Sequence, residues 1–353
     1  MPKKSRIRNA PMKNDPTHHR FKDLKIVYVD DEESNLFAFE GLLNHRFEIL
    51  TFNAPGKALT YIETHSDVAV AILDQVMPQM TGLELAEVVK KIRPTLTCIM
   101  LTGNATKQLA IDSVERQVFY KFLEKPIDFG SERFKEILIE GIQNHLLDKT
   151  KLEFREGTLE LLANLIDDKD GHTHFHSQRV AEWSVRIGKQ MNMSDRDQVL
   201  LYEGALIHDL GKISIPDDIL KKPGKLTPLE RRIIMTHPGR GGDLIDRIPQ
   251  LRELSTMARD HHERPDGKGY PRGLKGEDIP VLASIVALAD FFEALSSRRA
   301  YKEPWEMSKI IEEIELNRGT QFREDVVVAL YAALKDEGLW DTEVAKFRLA
   351  AVS

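Results

Sequence analysis

The chain has one cysteine, Cys98, in 353 residues. It cannot close an internal disulfide, and any metal site must be built from nitrogen and oxygen ligands rather than thiolates. No run of about 18 apolar residues exists to span a bilayer. The first 22 residues are basic and polar, without the apolar stretch of a secretory signal. A cytoplasmic location is expected, with residues 1–22 as a flexible basic tail. The formal net charge of -6 gives no general affinity for nucleic acid. Hydrophobic residues at 41% and charged residues at 30% are the proportions of a globular chain and leave a disordered reading unsupported. The length exceeds what one core usually organises, so two domains are expected.

What is present is concentrated. From Lys25 the chain reads KIVYVDDEES, a short β-branched run ending in paired acids, as a buried parallel strand does when it delivers side chains to its carboxyl edge. Similar runs end at Asp74, Thr102 and Lys125, with helix-like stretches between them. Alternating strands and helices imply a doubly wound α/β layer with its site at the carboxyl ends of the strands. Three carboxylates at one edge, Asp30, Asp31 and Asp74, repel one another unless a cation sits among them, which suits magnesium. Asp74 would then be the phosphoacceptor, with the Thr102 hydroxyl and the Lys125 ammonium placed to contact the new oxygens.

Residues 23–130 resemble the receiver domain of two-component response regulators. The resemblance is carried by the acid pair, by DQVMPQMTG from Asp74 to Gly82, by the LTG triplet and by Lys125-Pro126. It implies a flavodoxin-like, five-stranded parallel sheet, phosphorylation by a cognate histidine kinase, and a switch aromatic at Phe122.

Residues 131–158 lack proline and carry apolar and charged residues at helical spacing, which predicts a connecting helix. Leu138, Leu152, Leu159 and Ile166 share one seven-residue register, so a homodimer through this helix is among the expectations. Beyond it, helix formers dominate and strand alternation is absent, predicting an all-α domain over residues 159–353.

Seven of the twelve histidines fall between His172 and His262. His172 and His176 are four apart and would share a face if the segment is helical. His208 and Asp209 lie side by side near a helix end that Gly211 would terminate. An aspartate can bridge two cations, whereas an imidazole offers one nitrogen to one metal. His237, the pair His261 and His262, and Asp290, which closes a largely apolar helix, each add a candidate ligand. A buried acid after such a stretch is costly unless paired or metal-bound.

The second half resembles the HD-GYP subfamily of HD-domain phosphohydrolases, which hydrolyse cyclic di-GMP. HDLGK from His208, IPDDILKKPGKLT from Ile215 and HHERPDGKGYPRGLKG from His261 carry the match. The resemblance implies metal ligands at His176, His208, Asp209, His237, His261, His262 and Asp290. It places Lys212 and Asp209 in catalysis, Gly269, Tyr270 and Pro271 beside the substrate, and Arg299 and Lys302 on its phosphates. His172 stands where members with three metals carry a glutamate, leaving a third ion open, while Glu293 and Arg298 stand where aspartates are common.

The expected chemistry is two-metal hydrolysis, with iron or manganese bridged by Asp209 and a hydroxide that attacks phosphorus in line. The product would be pGpG, with further cutting to GMP tied to the third ion. Expected partners are cyclic di-GMP, the histidine kinase, a second copy, and GGDEF or other signalling proteins, with no DNA and no membrane span. Two alternatives stand beside this reading: a catalytically idle scaffold that binds cyclic di-GMP or docks a protein, and a phosphohydrolase of another cyclic dinucleotide.

Overall fold

The computed structural model describes residues 23–103, 118–171, 175–297 and 303–340. The chain divides into two compact units, Met1–Glu153 and Phe154–Ser353.

The first unit is a parallel sheet of β1 (Lys25–Val29), β2 (Glu48–Phe52), β3 (Val68–Asp74), β4 (Thr97–Thr102) and β5 (Lys121–Glu124), in the order β2-β1-β3-β4-β5. It matches the α/β doubly wound expectation. The β3 and β4 strands are buried at every residue, which is why they read as unbroken apolar runs rather than alternating ones. The helices α1 (Glu33–Leu43), α2 (Pro55–Thr64) and α3 (Gly82–Ile92) cover two separate apolar layers. Chain order reverses between β1 and β3, and the acids Asp30 and Asp74 stand at the carboxyl ends of those two strands. At the start of α3, Thr81 and Glu84 form a reciprocal capping box, and a Cβ on Gly82 would lie 2.4 Å from the Asp74 carbonyl oxygen. Glycine is therefore what lets the loop after Asp74 fold back on its own strand.

The connecting helix α4 runs from Glu132 to Asp170, 39 residues. Its heptad register does not form a free seam. Leu138 is buried in the core of the first unit, and Leu159 and Ile166 are buried in the second. These three residues spend their apolar surface within their own units. Leu152 is the register position that stays exposed, and Leu147, Phe154, Leu161 and Leu165, offset from that register, are exposed as well.

In the second unit the described elements are helical, as expected. They are α5 (His176–Gln190), α6 (Asp195–Leu206), α7 (Asp217–Leu220), α8 (Pro228–Ile234), α9 (His237–Asp246), α10 (Ser255–Asp260), α11 (Val281–Ser296), α12 (Met307–Leu316) and α13 (Glu324–Asp336), with short 3-10 turns between some of them. The α11 helix is apolar on most of its circumference and runs through the core, burying Ile285, Val286, Leu288, Ala289 and Phe292. This central position lets its two acids, Asp290 and Glu293, act inside the unit. No helix among the described residues is long and apolar enough to cross a membrane.

Candidate metal centre and phosphoacceptor site

In the first unit Lys125 donates to Asp30 Oδ2 at 3.1 Å and pairs with Asp74 Oδ1 at 2.8 Å. Asp30 is fully buried and accepts further bonds from the Tyr28 hydroxyl at 2.6 Å, the Glu32 backbone N–H at 2.9 Å and Asn35 Nδ2. Burial pushes its carboxyl up, and these donors together outweigh that and hold it below the ordinary carboxylate range. Asp74 is shifted the other way: burial raises it more than Lys125 lowers it, and the Asp30 charge adds to the rise. Asp31 is exposed, and oxygens of Asp30, Asp31 and Asp74 lie within 4.8 Å of one another. Two buried acids and one exposed acid against one lysine leave a surplus of negative charge, which suits a hard divalent cation. Thr102 is buried at the end of β4, and Phe122 packs partly buried against Phe119 with ring centroids 5.2 Å apart.

The second unit gathers its candidate ligands from helix ends. His208 and Asp209 leave the end of α6 and enter the 3-10 turn Leu210–Ser214. Gly211 does not end the helix as expected, because α6 already stops at Leu206. It serves close approach instead, since a Cβ there would lie 1.8 Å from the His237 carbonyl oxygen and 2.6 Å from the Gly241 nitrogen. The α5 helix begins only at His176, directly after the left-handed Phe175 (φ 72). His172, Arg298, Arg299 and Lys302 lie outside the described residues.

A common device orients three of the rings. The Nδ1 atoms of His208, His237 and His261 each bond the carbonyl three residues earlier: Ala205 at 2.7 Å, Ile234 at 2.8 Å and Ala258 at 3.0 Å. A carbonyl only accepts, so Nδ1 carries the proton and Nε2 faces inward as a lone pair. The inward atoms crowd together. His237 Nε2 lies 3.5 Å from His261 Nε2, and these two nitrogens lie 3.1 and 3.7 Å from Asp209 Oδ1. Lone pairs meeting lone pairs and a carboxylate in a dry pocket repel unless a cation lies among them. The His208 Nε2 and Asp209 Oδ1 atoms are buried without a hydrogen-bond partner. These donors therefore fit a metal centre.

Three donor sets lie within 4.8 Å: His237, His261 and His262; His176, His208 and Asp290; and His208, Asp209 and His261, which joins the other two. Asp209 turns Oδ1 toward His237 and Oδ2 toward His208, at 3.3 Å. The arrangement can hold two ions with Asp209 between them. Burial keeps the rings of His261 and His262 neutral, pushing His261 well below its usual value and His262 down to about 3, as a nitrogen ligand requires. Burial pulls His208 down as well, but the charges of Asp209 and Asp290 outweigh it and raise it. Asp209 and Asp290 are both held below the carboxylate range: burial raises them, and it is outweighed by Lys212, His208 and His237 at Asp209 and by His176 and His208 at Asp290.

His176 is held differently. Its Nδ1 bonds Glu293, and its Nε2 lies 3.4 Å from Asp290 Oδ1. Burial lowers it, yet the two acids together raise it to about 10. Glu293 is itself fixed by Arg179 Nε at 2.7 Å. The longer acid noted in the sequence as a departure thus orients His176, a role not assigned there. It lies three residues after Asp290 on the same face of α11, and that spacing was the available signal.

Lys212 Nζ sits between Asp209 Oδ2 at 2.6 Å and Asp170 Oδ2 at 2.5 Å. Burial opposes its charge, but both carboxylates raise its pKa and keep it protonated. Tyr270 lies over His262 with ring centroids 4.8 Å apart. Its loop is braced by the buried Glu263, which accepts from the backbone N–H groups of Arg272 at 2.6 Å, Gly273 at 3.1 Å and Leu274 at 2.9 Å. Gly269 permits that packing, because a Cβ there would lie 2.5 Å from the Glu263 Cα. Glu263 and Asp170 were not singled out from the sequence. Neither falls on a periodic pattern that marks an inward acid.

Family models match a response regulator receiver domain over residues 26–136 and an HD domain over residues 160–326. A cyclic di-GMP phosphodiesterase from Thermotoga maritima is 34% identical over 302 residues, covering 78% of this chain and 81% of that one. The cyclic di-GMP phosphodiesterase response regulator RpfG from Xanthomonas campestris is 34% identical over 332 residues, covering 87% of each chain. A 3'3'-cGAMP-specific phosphodiesterase from Vibrio cholerae is 36% identical over 184 residues, 51% of this chain and 35% of that one. With the receiver fold, the helical unit and the histidine-aspartate basin in place, the chain belongs to the HD-GYP family of metal-dependent phosphodiester hydrolases that carry a receiver domain.

Proposed function

We propose that this protein hydrolyses cyclic di-GMP to linear pGpG under the control of phosphorylation at Asp74. The observation that carries the reading is the convergence of unprotonated imidazole nitrogens and both Asp209 oxygens on one buried basin, with Lys212 at its edge. His176, His208 and Asp290 would hold one divalent ion and His237, His261 and His262 the other, with Asp209 shared. Iron and manganese suit this nitrogen and oxygen set. Ions bound there lower the pKa of water and offset charge on phosphoryl oxygens.

The remaining work belongs to the chain. Lys212, kept protonated by Asp209 and Asp170, donates to a phosphoryl or leaving oxygen at the basin edge. Tyr270 walls the basin beside His262, with Gly269 and Pro271 setting its loop against the substrate. Arg299 and Lys302 supply charge for the substrate phosphates. In the receiver, Asp74 takes the phosphoryl group from a histidine kinase, Asp30 and Asp31 hold magnesium with it, and Thr102, Lys125 and Phe122 form the switch.

The 3'3'-cGAMP-specific relative supports a second reading, in which the guanine-adenine cyclic dinucleotide is the substrate. Turnover of both nucleotides by anaerobically purified, manganese-loaded protein separates them. The reading expects cyclic di-GMP to be cut at least tenfold faster, to pGpG, and expects an Asp74→Asn variant to lose any response to a small-molecule phosphodonor. Equal rates with and without the donor in the parent protein would remove the switch.

A further inference from the structure

The last turns of α4 reach two supports of the metal basin. Asp167, 2% exposed, accepts from the Ser177 backbone N–H at 3.2 Å and from the Ser177 hydroxyl at 2.7 Å. Ser177 follows His176 in the first turn of α5, and that helix has no local side-chain cap, since its N-cap residue Phe175 is left-handed and makes no cap bond. A carboxylate from the preceding helix does the capping instead. One turn further on, Asp170 takes Lys212 Nζ at 2.5 Å, and Lys169 pairs with Asp217 at 2.7 Å. Upstream on the same helix, Arg155 holds the buried Glu203 through two bonds of 2.6 Å and the Gln250 carbonyl at 2.8 Å. The helix carrying all four groups begins at Glu132 and continues without a break.

We propose that the end of α4 is a positioning element for the metal basin, with Asp167 setting His176 and Asp170 setting Lys212, so that a displacement of this helix moves both together. The inference rests on the reading of His176 as a ligand and deepens it by naming how that site is regulated. Both aspartates are positioning residues. Each acts through the residue it holds. An ordinary cap would stabilise α5 and do no more. Here the capped turn opens with a ligand, and a misplaced ligand loses metal affinity by about 10-fold or more.

The test uses the full chain, purified anaerobically. Manganese(II) affinity is read by competition with a chelating dye, kcat and KM with cyclic di-GMP, and stability by thermal melting. Asp167→Ala is expected to weaken the tighter-held manganese about 10-fold, and Asp167→Asn, which can still cap, to restore most of it. Asp170→Asn is expected to leave manganese affinity within twofold and to lower kcat about 10-fold with KM unchanged. A lowered melting temperature with parental manganese affinity in Asp167→Ala, or an unchanged kcat in Asp170→Asn, overturns the proposal. If Asp167→Ala does not fold, Ser177→Ala removes only the hydroxyl bond. A weaker manganese affinity then supports the proposal and an unchanged one overturns it. Absence of cyclic di-GMP turnover in the parent protein would remove the functional reading, while the manganese comparison would still decide this one.

Discussion

Both units collect acids at one point, and they manage the resulting repulsion in opposite ways. In the receiver one lysine bridges Asp30 and Asp74 directly, and the third acid, Asp31, stays exposed. Such a site is already partly neutralised and open on one side, which fits the proposed phosphoacceptor role. In the helical unit, three histidines commit Nδ1 to backbone carbonyls, so their Nε2 atoms have nowhere to turn but inward. Lys212 touches only one edge of that basin, at Asp209 Oδ2. The difference is one of preorganisation: the receiver acids are partly neutralised by Lys125, while the inward lone pairs of the helical site repel one another unless a cation lies among them.

The comparison breaks most severely if the inward groups are removed. Asp209→Ala, in the folded protein, is expected to lose both ions by elemental analysis and at least about 10³-fold in turnover, as follows from the proposed metal-activated water. Phosphorylation at Asp74, read with a radiolabelled phosphodonor, should continue in that variant. Gly211→Ala forces a methyl against the His237 carbonyl, and overpacking of this kind costs about 1–3 kcal/mol, read as a lower melting temperature of the second unit. The corresponding change in the receiver, Gly82→Ala, meets the Asp74 carbonyl at 2.4 Å and should impair phosphorylation while leaving the metals in place.

Smaller effects sharpen the picture of the supports. Glu263→Gln keeps the shape but removes the charge that holds three backbone N–H groups, so it is expected to raise KM about 10-fold with metal content unchanged, because each such bond to a charged group contributes about 1.5–3 kcal/mol and part is retained. Smallest in function and clearest in packing is the pair on α4. Leu138→Ala, in the core, should cost about 2–5 kcal/mol, whereas Leu152→Ala, at an exposed position, should cost under about 1 kcal/mol by denaturant unfolding. Equal costs would restore the shared seam that the heptad register suggested.

The two units also differ in how much could be read beforehand. Strand ends in a parallel sheet place their residues at one edge by topology alone, so Asp30, Asp74, Thr102 and Lys125 were legible as a group. The strand Glu48–Phe52 was not singled out, because it delivers no such group at its end. In the helical unit the ligand types were legible through HDLGK and the HH pair, but their tautomers were not. Those depend on a carbonyl three residues back, which becomes available only where each ring sits at a helix end or an adjoining turn. The Gly211 reading failed because the glycine serves a contact with His237, distant in sequence. The heptad on α4 is ambiguous, because a helix packed on a core repeats near seven residues whether its neighbour is another chain or its own domain; three of its positions are buried within their own units and Leu152 is exposed. Glu263 and Asp170 act through contacts that no local pattern encodes.

The central claim is that distant imidazoles and acids form one basin built around two ions. Elemental analysis of the full chain purified without oxygen, repeated on Asp209→Ala, tests it most directly. The account predicts two iron or manganese ions per parent chain and loss of both in a variant that remains folded by circular dichroism. Fewer than one ion in the parent protein after loading with iron and manganese, or an unchanged content in the variant, would contradict it.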